Sequence, residues 1–318
     1  MRKEISAPSP RIAVLLLAHG SPDRLEQMEE FLRRVRRGKP LRPEVLQEVT
    51  ERYRRIGGRS PLLDITRDQA VGLQKALGDG YRTFVGMKYW HPLIPETARE
   101  IHAEGLRTWI SVVMAPQYSR MSTGVYHEML EEAAATLDPP PRVCAVPDWH
   151  CLKGFLGPVA ARVQEAIDRF PEVERERVAV ILTAHSLPEK VREWNDPYPG
   201  QFQETAEGVM ALVGERAWRM AYQSQGMTHD PWLGPGVNEV LEEMDAKGVR
   251  GVVVSPVGFV ADHVEVLYDI DVEHKEFAEE RGMRLERSDS LNADPAFLQA
   301  LADVVKETVA KLDPEDSR

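Results

Sequence analysis

A ten-residue segment, AVLLLAHGSP from Ala13 to Pro22, returns 166 positions later as AVILTAHSLP from Ala179 to Pro188. Each copy is a short apolar run that ends in Ala-His and is closed by turn-forming residues. That is the pattern of a strand covered on both faces in a parallel sheet. Two further echoes follow in the same order. YRTFVGMKYWHP (Tyr81 to Pro92) pairs with WRMAYQSQGMTHDP (Trp218 to Pro231), and WISVVMAPQYS (Trp109 to Ser119) pairs with GVVVSPVGFV (Gly251 to Val260). Strand-like echoes kept in one order predict a duplicated unit. The fold expected is α/β: two similar Rossmann-like lobes, each a parallel sheet flanked by helices, over residues 1–168 and 169–318.

Helices are expected between the strands. Leu25, Met28, Leu32 and Val35 form one apolar stripe, and Val159, Val163, Ile167 and Phe170 another. A closing helix over Pro295 to Leu312 turns Phe297, Leu301, Val304 and Val305 inward and is expected to pack back on the first lobe. Pro139, Pro140 and Pro141 and the charged stretch Glu172 to Arg177 are expected to bracket the crossover, and residues 1–10 and 313–318 to fray. The net charge of −11 repels phosphate backbones and anionic lipid, which excludes nucleic acid as a partner. The apolar run Ile12 to Ala18 follows Arg2, Lys3 and Arg11, as a secretory leader would. Its second copy deep in the chain favours a strand, and it falls far short of the roughly 20 residues of a membrane span. Cys144 and Cys151 match neither a C-x-x-C pair nor a zinc knuckle and read as reduced thiols of a cytoplasmic protein.

In an open parallel sheet the ligand crevice lies beyond the carboxyl ends of the strands, so residues directly after each run are the candidates for chemistry. Both copies of the repeat place a histidine there, His19 and His185. An imidazole can ligate a metal or accept a proton near neutrality, although a lone histidine is more often a hydrogen-bonded structural group. Past the third strand of the second unit, Glu265, Asp269 and Glu273 follow at four-residue spacing, close to His263. On a helix they line one face, either as a solvated stripe or as an oxygen-rich row for a divalent cation or proton relay. Arg33, Arg34, Arg36, Arg37, Lys39 and Arg42, and then Arg52, Arg54, Arg55 and Arg59, are two basic patches suited to a polycarboxylate. Met87, Tyr89, Trp90, Tyr118, Met121, Tyr126 and Trp232 are expected to wall a flat apolar ligand.

The segments LLLAHGSP, RRGKP, RYRRIGGRSPL, APQYS, TAHSLPEKV, DPYPGQ, QSQGMTHDPWLGP and PVGFVADHVEVLYDIDVE run through nearly the whole chain. By them the chain resembles the ferrochelatase family, and within it the soluble bacterial coproporphyrin III type. The resemblance implies chelatase-type lobes with a porphyrin cleft between them and insertion of Fe2+ as substrate, giving Fe-coproporphyrin for haem biosynthesis. Protoporphyrin IX is the alternative ring, and a non-enzymatic haem carrier of the same fold the alternative role. By the same resemblance His185 and Glu265 are the catalytic pair and the ligands of the iron. Asp269 and Glu273 continue as an acidic path that holds an outer Mg2+. Arg36, Arg52, Tyr53, Ser60 and Tyr126 face the porphyrin, with His19 on the side opposite His185, where Gram-positive relatives commonly carry tyrosine. No tightly bound cofactor is expected, two cysteines do not suffice for the iron-sulfur cluster of some relatives, and a haem-accepting enzyme is the expected downstream partner.

Overall fold

The computed structural model describes residues 11–226 and 230–312. The expected tails, and Met227, Thr228 and His229 of the QSQGMTHDPWLGP segment, lie outside the described residues. The first unit runs β1 (Ile12–Ala18), α1 (Met28–Val35), α2 (Pro43–Arg55), α3 (Leu62–Leu77), β2 (Tyr81–Met87), α4 (Ile94–Ala103), β3 (Thr108–Val113), α5 (Thr123–Ala135) and β4 (Arg142–Val146). Helix α6 (Lys153–Asp168) crosses to the second unit: β5 (Ala179–His185), α7 (Lys190–Glu193), α8 (Tyr198–Val213), β6 (Trp218–Gln223), α9 (Val237–Ala246) and β7 (Gly251–Ser255). There follow α10 (Val264–Leu267), a π-helical turn over Asp269–His274, α11 (Lys275–Glu279), β8 (Arg284–Arg287) and α12 (Pro295–Ala310).

The sheets have orders β2-β1-β3-β4 and β6-β5-β7-β8, with every pairing parallel. The three sequence echoes are the first, second and third strands of the two sheets. Side chains alternate along a strand, which sorts each sheet into two apolar faces. Val14, Leu16, Val180 and Leu182 share one cluster with Phe155 of α6, Phe202 of α8 and Phe297 of α12, so the inner faces of both sheets meet one core. Ala13, Leu15 and Leu17 pack outward on Ile94, Ala98 and Leu130, and Ala179 and Ile181 on Val240 and Leu241. Each fully buried Leu or Ile in these layers contributes about 1.5–3 kcal/mol.

Asp294 caps α12, its Oδ1 accepting from the Ala296 and Phe297 amides at 2.9 and 3.2 Å, and Pro295 starts the helix without an orphan N–H. The helix packs on α3 and α6. Contact with α3 is close enough that a Cβ on Gly72 would overlap Leu298 Cδ1. Several expectations need adjustment. The prolines at 139–141 belong to the α5–β4 loop, since β4 begins at Arg142, and the crossover starts after β4. Leu25 precedes α1 in a 3-10 turn, and Val304 is half-buried beside the fully buried Val305. Among the described residues, no helix is long and apolar enough to cross a membrane.

Candidate active site

The carboxyl ends of the two sheets open on a shared cleft of about 480 Å³, within the size range of small-molecule sites. His19 follows β1 directly, Lys88 and Tyr89 follow β2, His185 ends β5, Ser224 follows β6, and Phe259, His263 and Glu265 follow β7. The loop after β7 is pressed onto β5: the Gly258 amide donates to the Thr183 carbonyl at 3.0 Å, and a Cβ on Gly258 would stand 2.7 Å from Ala184 Cβ. Only a glycine allows that approach, and it brings the His263 segment against His185.

Three side chains of the second unit converge there. His185 Nε2 lies 3.7 Å from Glu265 Oε2, and His263 Nε2 lies 3.5 Å from the same oxygen. His185 Nδ1 bonds the Ser186 carbonyl and His263 Nδ1 the Ala261 carbonyl. A carbonyl only accepts, so each Nδ1 carries the hydrogen and Nε2 is the atom presented to the carboxylate. The backbone below is fixed as well. Tyr198 Oη donates to the His185 carbonyl at 2.7 Å, and Gln223 Nε2 donates to the Glu265 carbonyl at 2.8 Å while Thr183 Oγ1 donates to Gln223 Oε1 at 2.6 Å. Burial opposes a charge on Glu265, yet His185, His263 and His19 outweigh it and bring its pKa down to about 2. Burial likewise disfavours charged His263, but its hydrogen bond to Glu265 and that residue's charge raise its pKa.

The acidic row is not one α-helix. The amides of Val272 and Glu273 both reach the Tyr268 carbonyl, at 3.1 and 3.0 Å, the widened turn of a π-helix, a feature frequent at functional sites. Asp269 is buried, accepts from Ser224 Oγ at 2.5 Å and lies 3.4 Å from Arg52 Nη1. Burial pushes its pKa to about 7, helped by Glu265 and Glu273 and opposed by Ser224 and Arg52. Glu273 lies outside the cleft lining and meets Arg52 Nη2 at 4.0 Å.

The first unit supplies a different wall. His19 Nδ1 bonds the Gly20 carbonyl at 2.9 Å, the same arrangement as at His185, and burial lowers its pKa against the opposing charge of Glu265. Tyr53, Ser60 and Tyr126 line the cleft. Burial, with the charge of Glu265 added, raises the pKa of both phenols so that they stay protonated. Arg52 lines it too, but its guanidinium is held by Glu48 at 3.0 Å as well as by Asp269, with its Nε buried and unpartnered. Arg36 stands outside the lining, its Nε donating to the Pro40 carbonyl at 3.0 Å.

Much of the two basic patches is neutralised by carboxylates, commonly one helical turn away: Arg33 with Glu29, Arg34 with Glu30, Arg54 with Glu51, Arg55 with Glu276 and Arg59 with Asp64. Of the expected aromatic wall, Tyr89, Met121 and Tyr126 line the cleft; Tyr118 and Trp232 do not. Met87 and Trp90 are buried in the fold, Trp90 in a cluster with Met28, Phe31, Leu32 and Tyr53. Two cleft residues are not among the site residues expected from the sequence. Lys88, the first residue after β2, has its Nζ 4.6 Å from the Tyr126 ring centroid, and burial together with Arg37 lowers its pKa to about 8. His263 is the other, two positions before Glu265. The strand-end rule applied to β2, and the His-x-Glu spacing after β7, are the signals that find them.

Residues 11–309 match the family model described as Ferrochelatase. The chain is 41 % identical over 301 residues to a ferrochelatase of Herpetosiphon aurantiacus, covering 93 % of this chain and 99 % of the relative. It is 38 % identical to the coproporphyrin III ferrochelatase of Bacillus subtilis, covering 93 % and 97 %. Among solved structures, SirB from Bacillus subtilis with Fe3+ superposes with a TM-score of 0.61 at 14 % identity, over 94 % of this chain and 96 % of that one, a likeness of fold.

Proposed function

The chain belongs to the ferrochelatase family, and from that premise we propose that it inserts Fe2+ into coproporphyrin III, with protoporphyrin IX the disfavoured ring. The observation that carries this reading is the 3.7 Å separation of His185 Nε2 and Glu265 Oε2 at the mouth of the second sheet. Two donors of this kind, each about 2 Å from one cation, stand roughly 3 to 4 Å apart. The ring preference is supported by the coproporphyrin III ferrochelatases among the relatives and by cationic groups left without carboxylate partners among the described residues: Arg36 and Arg37 after α1, and Lys88 on the cleft wall.

Free-base porphyrin is flat, keeps two N–H protons and admits a hydrated cation slowly. A cleft that grips the rim while leaving the centre open spends its binding energy on bending the ring toward the metallation transition state. Tyr53, Ser60, Tyr126 and Lys88 do the gripping from one side. His185 and Glu265 replace water around Fe2+, and as the cation passes to the ring the freed Nε2 of His185 and the Glu265 carboxylate each take one of the two pyrrole protons. Asp269, with a pKa of about 7, takes up and releases protons near neutrality and so suits the exit path. Arg52 already supplies positive charge to Asp269 and Glu273, so these carboxylates fit proton passage better than an outer Mg2+. Two free cysteines fit a reducing compartment, and the cytoplasm is the proposed setting.

The test is an anaerobic spectrophotometric assay offering Fe2+ with each porphyrin in turn. kcat/KM for coproporphyrin III should exceed that for protoporphyrin IX by at least about tenfold. Equal or reversed values would overturn the ring assignment. Retention of haem with no acceleration over the solution rate would point to a carrier and overturn the enzymatic reading.

A further inference from the structure

We propose that His150, Cys151 and Glu204 form a second metal site, outside the cleft, for a divalent cation of the Zn2+ class. The ligand atoms of these three residues all lie within 4.8 Å of one another. His150 Nε2 is 2.7 Å from Glu204 Oε2, and Cys151 Sγ is 3.8 Å from the same oxygen. Behind them, Asp148 Oδ1 lies 2.8 Å from His150 Nδ1. This is the carboxylate–histidine pairing that orients a metal-ligating imidazole and leaves Nε2 to the metal. Donors about 2.0–2.3 Å from a tetrahedral Zn2+ stand roughly 3.3–3.8 Å apart, so His150 and Glu204 need part by only about half an ångström. On binding, the thiol proton and any proton on Nε2 leave to solvent.

The donor set decides the class of ion. One nitrogen, one sulfur and one oxygen suit Zn2+ and its neighbours, whereas a thiolate is a poor partner for Mg2+ or Ca2+. Without a metal the thiol is only a weak donor to Glu204; a metal uses its sulfur as a ligand. His150 is nearly buried and Glu204 is open to solvent, with side-chain exposures of 10 % and 63 %, so an ion has an anchored ligand and a way in.

The site also bridges the lobes. His150 and Cys151 follow β4, Glu204 lies on α8, and the neighbouring Thr205 donates to the His150 carbonyl at 3.3 Å and accepts from Gln117 Nε2 at 3.0 Å. One turn back, Gln201 Oε1 accepts from the Tyr118 amide at 2.6 Å. Gln117 lines the cleft, so a metal here would brace the wall of the catalytic cleft from behind.

The full-length protein, stripped of metal, should be titrated with Zn2+ by equilibrium dialysis and with Co2+ by absorption. The wild type should bind one more Zn2+ per chain than Cys151→Ser, and the Co2+ form should show thiolate-to-metal charge transfer in the near ultraviolet. That band should survive in His185→Ala, which isolates it from the cleft, and in Cys144→Ser. It should vanish in Cys151→Ser and require at least about tenfold more Co2+ in Glu204→Gln. Cys151 and Glu204 are exposed, and circular dichroism will show whether the variants fold as the parent does. Unchanged stoichiometry in Cys151→Ser, absence of the band in the wild type, or binding only at millimolar Zn2+ would each overturn the proposal.

Discussion

The two sheets share a strand order, and each leading strand delivers an imidazole with Nδ1 tied to the next carbonyl and Nε2 free. What surrounds the two imidazoles differs. His19 has Tyr89 at 4.8 Å and Phe31 at 6.1 Å between ring centroids, a wall of aromatic edges. His185 has Glu265, with His263 against the same carboxylate. One of the differences lies in the helix after the third strand: Tyr126 near the start of α5 in the first unit, Glu265 in α10 of the second. Under the proposed function, the aromatic side is the one that grips and the carboxylate side the one that exchanges protons for metal.

The comparison breaks most readily on the paired histidines. His185→Ala should lower metal insertion about 10³-fold, with porphyrin Kd changed less than about tenfold, while His19→Ala should cost less than about tenfold in kcat. Anaerobic rates and fluorescence titrations on both variants decide this, and equal losses would mean the lobes share the chemistry.

A second expectation concerns what the acidic row costs the second lobe. The pKa of Asp269, raised to about 7, means that the fold favours its neutral form, so its destabilising effect sets in as pH rises from about 4 and is complete above about 7. Asp269→Asn should therefore be more stable than the parent at pH 8, by up to about 4 kcal/mol, with the gap closing toward pH 4. Urea unfolding at both values measures this; parallel pH profiles would show that Asp269 is not strained. Smaller again, Gly258→Ala must displace Ala184 beneath His185 and should destabilise by about 1–3 kcal/mol, with a loss of kcat that exceeds its effect on porphyrin binding.

The strands and the two strand-end histidines were legible because each is a local signal, an apolar run with a fixed residue after it, and duplication wrote it twice. The row Glu265, Asp269 and Glu273 was legible as a row, but its partition was not. Asp269 is buried and Glu273 lies outside the cleft lining, because a π turn intervenes and Arg52 arrives from 217 positions away. The pairing within the arginine patches was hidden for the same reason: periodicity counts charges on an element and does not see that Glu276 reaches back to Arg55. Trp90 has the composition of a cleft wall residue, yet its ring closes the small cluster beneath α1 and its Nε1 donates to Asp23 at 3.2 Å.

Helix α12 lies against α3 of the first lobe, with Leu298 seated over Gly72. During synthesis α3 can pack on β1 and β2 of its own lobe, but its patch around Gly72 lacks Leu298 until Pro295–Ala310 has left the ribosome. The half of the molecule made first is therefore finished last, its outer packing closed only by the final helix to be translated.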